Sequence, residues 1–178
     1  GAGVIVLAAE EMLMRYGLQA RAEVLGVGWT SDAYHFTKPN PETITRGIRE
    51  ALDDAELNPA DIQYINAHGT STQKGDLVEI ECLRTVFGKY LESIPLSSNK
   101  SQIGHTLGAA AAIEDALTIE GMQQGILLPT INHIPDPRFA DIDCVPNAAR
   151  RQRCELALSN AFGFGGTNCC IVFKGVAP

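Results

Sequence analysis

No stretch of the 178 residues approaches the roughly 20 uninterrupted apolar residues of a membrane span, although 45% of the chain is hydrophobic. No two cysteines form a Cys-x-x-Cys pair, and the odd count of five (Cys82, Cys144, Cys154, Cys169 and Cys170) fits poorly with a disulfide framework. They read as reduced, mostly buried thiols. The adjacent Cys169 and Cys170 point to opposite faces of a strand, which argues against a shared metal. Basic residues are scarce, 14 against 21 acidic, and the net charge of −7 gives no electrostatic footprint for nucleic acid. The one dense basic cluster, Arg150, Arg151 and Arg153, reads as a solvated turn. The opening Gly1 to Leu7 has neither a basic leader nor a cleavage pattern, so a signal peptide is not indicated and a cytoplasmic location is expected. Zinc spacings such as His-Glu-x-x-His are missing, as are the glycine fingerprints Gly-x-Gly-x-x-Gly and Gly-x-x-x-x-Gly-Lys of nucleotide sites.

What is present is an alternation of short apolar runs and helical patterns in a chain of one-domain length. Val4 to Ala8 reads as a buried strand entering a helix that stops near Gly17, and the glycine start suggests that something precedes it. Ala22 to Val27 reads as a strand, followed by a polar stretch from Ser31 to Asn40. Asn40-Pro41-Glu42 supplies an N-cap, a first-turn proline and an early acid for a helix with Ile44, Ile48, Leu52 and Ala55 on its apolar side. Asn58-Pro59 breaks that helix, and Ile62 to Ala67 is a strand delivering His68 at its carboxyl end, where α/β sheets place functional groups. A helix from Asp76 to Phe87 is followed by a strand from Ile94 to Ser98 that presents Asn99 and Lys100. The pattern then predicts one helix over Gly104 to Gly121, with the small residues Gly108 to Ala112 inviting another backbone close. A proline-punctuated loop, Pro129 to Pro146, precedes strands at Leu156 to Ser159 and Cys169 to Phe173, joined by a glycine-rich turn. The fold class predicted is α/β, a sheet layered with helices.

Three segments after strands gather unusual polar groups: His68-Gly69-Thr70-Ser71-Thr72, Lys100-Ser101-Gln102-Ile103-Gly104-His105, and Asn160-Ala161-Phe162-Gly163-Phe164-Gly165-Gly166-Thr167-Asn168. Singly each is weak, because a lone histidine is more often structural than catalytic. Together and in this order they resemble the β-ketoacyl-acyl carrier protein synthases of the thiolase superfamily. The likeness runs through Trp29-Thr30-Ser31-Asp32-Ala33-Tyr34-His35, Gly75-Asp76-x-x-Glu79 and Pro129-Thr130-Ile131-Asn132.

The resemblance implies a thiolase-like layered α/β/α fold of which this chain is one half. Residues 1–20 would be the last strand and helix of the amino-terminal half, and 21–178 the carboxyl-terminal domain. It implies a decarboxylative Claisen condensation of malonyl-carrier protein with an acyl thioester in fatty acid synthesis. His68 and His105 would be neutral hydrogen-bond donors to the enolate, and Lys100 an orienting cation paired with Glu114. The pattern places His105 at the amino end of the small-residue helix, whose dipole disfavours an imidazolium. Thr70 and Thr72 match hydroxyls that bond the amides of the phosphopantetheine arm, with capping of their own loop as the plainer role. Phe164 matches a gating phenylalanine, and Phe162 a wall of the pocket. Asp76 and Glu79 would support the His68 loop, while His35 and His133 match no catalytic position. Some members of the family bind a monovalent cation near positions matching Asn66, Glu114, Ser159 and Asn160. No bound cofactor is implied beyond the phosphopantetheine arm as substrate carrier.

The chain departs from the family in one respect. The nucleophilic cysteine of the family stands in a Thr-Ala-Cys context, and none of the five cysteines here has those neighbours. The expected partners are therefore an amino-terminal half carrying that cysteine, acyl carrier protein, and a second copy of the completed enzyme. Two other readings remain. A chain-length-determining subunit of a polyketide ketosynthase need not keep His68, Lys100 and His105. A degradative thiolase uses free coenzyme A and a second cysteine as proton-transfer base near the carboxyl terminus, whereas here the glycine-rich turn carries phenylalanines and Cys169 and Cys170 come after it in a strand.

Overall fold

A computed structural model of the chain describes residues 1–176. In chain order the regular elements are α1 (Glu10–Tyr16), β1 (Ala22–Ser31), α2 (Pro41–Asp54), β2 (Tyr64–Asn66), α3 (Gly75–Phe87), β3 (Leu96–Ser97), α4 (Lys100–Ile103), α5 (Ala110–Gln124), β4 (Ile126–Leu127), β5 (Arg150–Arg151), β6 (Leu156–Phe162) and β7 (Thr167–Gly175). Helix α2 begins where its sequence signals place it. The Asn40 side chain accepts a hydrogen bond from the Glu42 amide at 3.1 Å, and Pro41 occupies a position whose N–H would have no partner.

Five strands form one sheet in the order β1-β7-β6-β2-β3, and β4 pairs separately with β5. Strand β7 runs antiparallel to both β1 and β6, whereas β6, β2 and β3 are parallel. Side-chain alternation divides the core in two. Ile65, Leu158 and Val172 face α2 and α3, packing with Ile44, Ile48, Leu52, Leu83 and Phe87. Their neighbours Tyr64, Ala157 and Phe173 face α5 and pack with Met122 and Leu127. The layered α/β/α arrangement predicted from the sequence is thus present. Helix α2 lies unusually close to β1, because a Cβ on Gly28 would sit 1.8 Å from the Gly47 carbonyl oxygen. No side chain fits there.

Two local expectations are corrected. Val4 to Ala8 forms no strand, since none of the described strands lies beside it to pair its backbone groups, and Val4, Val6 and Leu7 are exposed. The helix expected from Gly104 is not continuous. Helix α4 ends at Ile103, Gly104 turns the chain at φ 75°, and Leu107 takes φ 54°, so α5 starts only at Ala110. The close approach foreseen for the small-residue run comes from Gly3, where a Cβ would lie 2.8 Å from that of Ala112. Strand β1 extends to Ser31 and β6 to Phe162, beyond the apolar runs, because ladder pairing with β7 continues along both. Among the described residues no helix is long and apolar enough to cross a membrane.

Candidate active site

The parallel strands β2, β3 and β6 end on the same edge, so the three polar segments converge there. His68 follows β2, and its Nδ1 accepts a hydrogen bond from the Phe162 amide at the end of β6, at 3.2 Å. That bond leaves the proton on Nε2 of the neutral ring. The His105 ring stands edge-on to it, with centroids 5.7 Å apart, and its Nδ1 likewise accepts a backbone N–H, that of Leu107 at 3.3 Å. Both imidazoles are therefore arranged as Nε2–H donors. His105 lies in the exposed connection before α5, not in the first turn of a helix as the sequence pattern predicts, so no helix amino terminus carries it.

Burial is the largest influence on His68, followed by the positive Lys100 and then His105, and together they lower its pKa from 6.5 to about 3. A histidine depressed in this way binds its proton more readily in the unfolded chain. Stability linked to it is complete above about pH 6.5 and lost progressively as the pH falls toward 3. The His68 ring nitrogens should show unchanged NMR shifts from pH 8 to about 5. Titration at its ordinary pKa would show that the ring is not held as described.

Lys100 and Glu114 form a buried ion pair of 2.7 Å, with side chains 5% and 1% exposed. The Asn66 side-chain amide reaches the same carboxylate at 3.4 Å and Ser159 Oγ at 3.1 Å, and Ser159 donates to Asp115 at 2.6 Å. Asp115 was not foreseen as a site residue. Burial pushes its pKa up to about 6. Glu79 on α3 is buried and accepts hydrogen bonds from the His68 and Gly69 amides at 2.9 and 2.8 Å, and from Asn160 at 3.2 Å. Burial raises its pKa against those three bonds. Asp76 accepts from the Ser71 amide at 3.1 Å. The loop carrying His68 is thus tied to α3 by two carboxylates.

Thr70 and Thr72 hydroxyls lie 3.3 Å apart, and Thr72 also accepts from the Gly75 amide, closing its own loop onto α3. Phe162 packs against His68 with centroids 5.3 Å apart. Phe164 is 63% exposed at the tip of the β6–β7 turn and stacks at 5.2 Å on Phe36, a contact between segments that local pattern could not reveal. Asp32, within the quoted Trp29–His35 motif, anchors both segments. Its carboxylate accepts from Thr43, from the Asn40 amide and from Asn168, and its own amide donates to the Gly166 carbonyl. His35 accepts the Thr37 and Lys38 amides within its turn, and His133 donates its amide to Asn147, away from the convergence.

Each of Asn66, Glu114 and Asn160 leaves one buried side-chain oxygen with no hydrogen-bond partner among the described residues. Oxygen atoms in that condition, one of them on a carboxylate, suit a hard cation.

The layered α/β/α unit has the fold of solved ketosynthases, of whose length it covers less than half. Residues 21–133 match the model for "Beta-ketoacyl synthase, C-terminal domain", and the chain belongs to that family. It is 42% identical over 177 residues to 3-oxoacyl-(acyl-carrier-protein) synthase 2 of Staphylococcus aureus, covering 98% of this chain and 44% of that relative's length. A β-ketoacyl synthase from Burkholderia phymatum STM815 superposes with TM-score 0.87 at 41% identity, over 93% of this chain and 40% of the other. A chain of the AntDE–AntF complex, a type II polyketide synthase acyl carrier protein in complex with its ketosynthase, gives 0.89 at 34% identity, over 94% and 42%.

Proposed function

We propose that this chain forms the decarboxylation half of a β-ketoacyl-carrier protein synthase. The observation carrying the reading is the pair of imidazoles 5.7 Å apart, each with Nδ1 engaged by a backbone amide and Nε2–H left free. In this reading the malonyl thioester oxygen lies against those two donors. The bond to the carboxylate breaks, carbon dioxide leaves, and its electron pair passes into the enolate, whose negative oxygen the two N–H groups stabilise. The enolate carbon attacks the acyl thioester on a cysteine supplied by an amino-terminal half and expels the thiolate. Neutral donors suit this step, because they stabilise developing charge and keep their protons, and the depressed pKa of His68 supports that role. Lys100, held by Glu114, keeps a positive field beside His68. Thr70 and Thr72 bond the amides of the phosphopantetheine arm, Phe162 walls the reacting centre and Phe164 gates it. The unpartnered oxygens of Asn66, Glu114 and Asn160, with Ser159, would hold a monovalent cation, which would supply positive charge to those buried oxygens.

An amino-terminal half is the partner that best accounts for the bare side of the sheet. Trp29 and Val27 on β1, on the side away from α2, are 73% and 41% exposed. Native mass spectrometry of the purified protein should show a companion polypeptide with a Thr-Ala-Cys motif, and that assembly should release carbon dioxide from malonyl-carrier protein. The chain found only as copies of itself, with no such release, would favour a non-catalytic chain-length-determining subunit.

A further inference from the structure

Strand β3 is the last of its sheet, so the backbone amides on its outer side have no strand to pair with. The Leu96 amide donates to the Asp143 carbonyl at 2.9 Å, and the Ser98 amide donates to the Thr130 hydroxyl at 3.0 Å. Thr130 is itself held from both sides, its amide bonding the Val145 carbonyl and its carbonyl accepting the Asn147 amide. The Pro129-Thr130-Ile131-Asn132 segment has no role in the condensing-enzyme reading, yet it forms a fixed brace along this edge.

Ser98 joins that brace to both histidine segments. The paired register of β2 and β3 ends at Asn66 and Ser97, two residues short of His68. Beyond that point the Ser98 hydroxyl donates to the Gly69 carbonyl at 2.6 Å and so fastens the residue after His68. The approach is close, because a Cβ on Gly69 would sit 2.7 Å from that of Ser98. On the other side the Ser98 carbonyl accepts the Ser101 amide and hydroxyl, at 3.2 and 2.8 Å. The brace also grips α4 directly: Ser101 Oγ accepts the Ile131 amide at 3.0 Å, and the Gln102 side chain donates to the Pro129 carbonyl at 3.1 Å. Helix α4 runs into Gly104 and His105, so the supports of the two imidazoles meet on one buried serine.

We propose that Ser98, seated on Thr130, is the positioning residue that sets the separation of His68 and His105. The inference deepens the condensing-enzyme reading and rests on it. Ser98 makes no hydrogen bond to either ring and acts through the backbone that carries each. Serine meets three demands together: a donor for Gly69, an amide for Thr130, and little bulk where Gly69 comes close. The spacing matters because two donors serve one developing oxyanion only if both point at it, and a displacement of about 1 Å can cost about 10²-fold in rate.

The test uses the purified protein with any companion it carries, and measures malonyl decarboxylation and acyl transfer separately. Ser98→Ala and Thr130→Val should each lower kcat for decarboxylation by about 10- to 100-fold, with KM and acyl transfer within about 2-fold of the parent. Thr130→Ser keeps the hydroxyl that the Ser98 amide needs and should stay within about 3-fold of the parent. The NMR cross-peak between the His68 and His105 ring protons should weaken in Ser98→Ala while the protein remains folded by denaturant titration. A parent-like rate and an undiminished cross-peak in Ser98→Ala, equal loss of both half-reactions, or damage in Thr130→Ser as large as in Thr130→Val would overturn the positioning role and leave the condensing-enzyme reading standing. A parent that releases no carbon dioxide from malonyl-carrier protein would overturn both.

Discussion

In the assembled enzyme, His105→Ala slows malonyl decarboxylation by about 10²- to 10³-fold while acyl transfer to the cysteine changes by no more than a few fold, as expected for loss of one donor to a developing oxyanion. The selectivity follows from position. His105 touches no other described side chain by hydrogen bond, and its one bond is to the Leu107 amide within its own turn. Removing its ring therefore deletes a donor and disturbs little else. His68→Ala is a harsher change, because the Phe162 amide loses its acceptor and the ring contact with Phe162 disappears. That variant should lose decarboxylation to a similar degree and also unfold more readily. Release of carbon dioxide and acylation of the cysteine, measured separately on each variant, check the assignment. Equal loss of both half-reactions in His105→Ala would refute it.

Glu114→Leu should lower unfolding stability by about 3–5 kcal/mol, the cost of leaving a buried ammonium without its counter-charge. Lys100 is 7% exposed and Glu114 is 1% exposed, so water cannot replace the lost partner. Lys100→Met alone should cost a comparable amount through the stranded carboxylate. The double variant Lys100→Met/Glu114→Leu should recover most of the loss, since apolar replacements of similar volume often match a buried pair. Recovery of stability without recovery of decarboxylation would separate function from folding. The same double variant removes the positive charge that helps depress the His68 pKa, so His68 should titrate higher in it than in the parent. Denaturant unfolding and NMR titration read the two effects independently. Additive single-variant losses would mean that the pair does not act as a unit.

Much of the scaffold was legible because its signals are local. The cap at Asn40, the break at Asn58-Pro59 and the glycine-rich turn between β6 and β7 depend on residues a few positions apart. The helix from Gly104 was misjudged for the complementary reason. Ala109 to Ala112 have strong helix propensity, but Gly104 and Leu107 adopt left-handed backbone angles and move His105 out of the helix. Asp115 was missed because nothing beside it in sequence marks it out. Its role comes from Ser159, 44 positions away, whose hydroxyl donates to it.

The sequence by itself determined which chemical groups are available and in what order: two histidines, a lysine, their glycine-punctuated loops, and no cysteine in the Thr-Ala-Cys setting. Those identities are covalent and need no folding to be read. Tertiary structure alone decided which nitrogen of each histidine is free, because the bonds from Phe162 and Leu107 that engage Nδ1 exist only after folding. It also decided that Lys100 meets Glu114 in a dry interior and that Asp32 joins the β6–β7 turn to the segment after β1. Hydrogen bonds need close, aligned partners and charge interactions depend on separation and burial, so distances across the fold, which no local pattern encodes, set their strength.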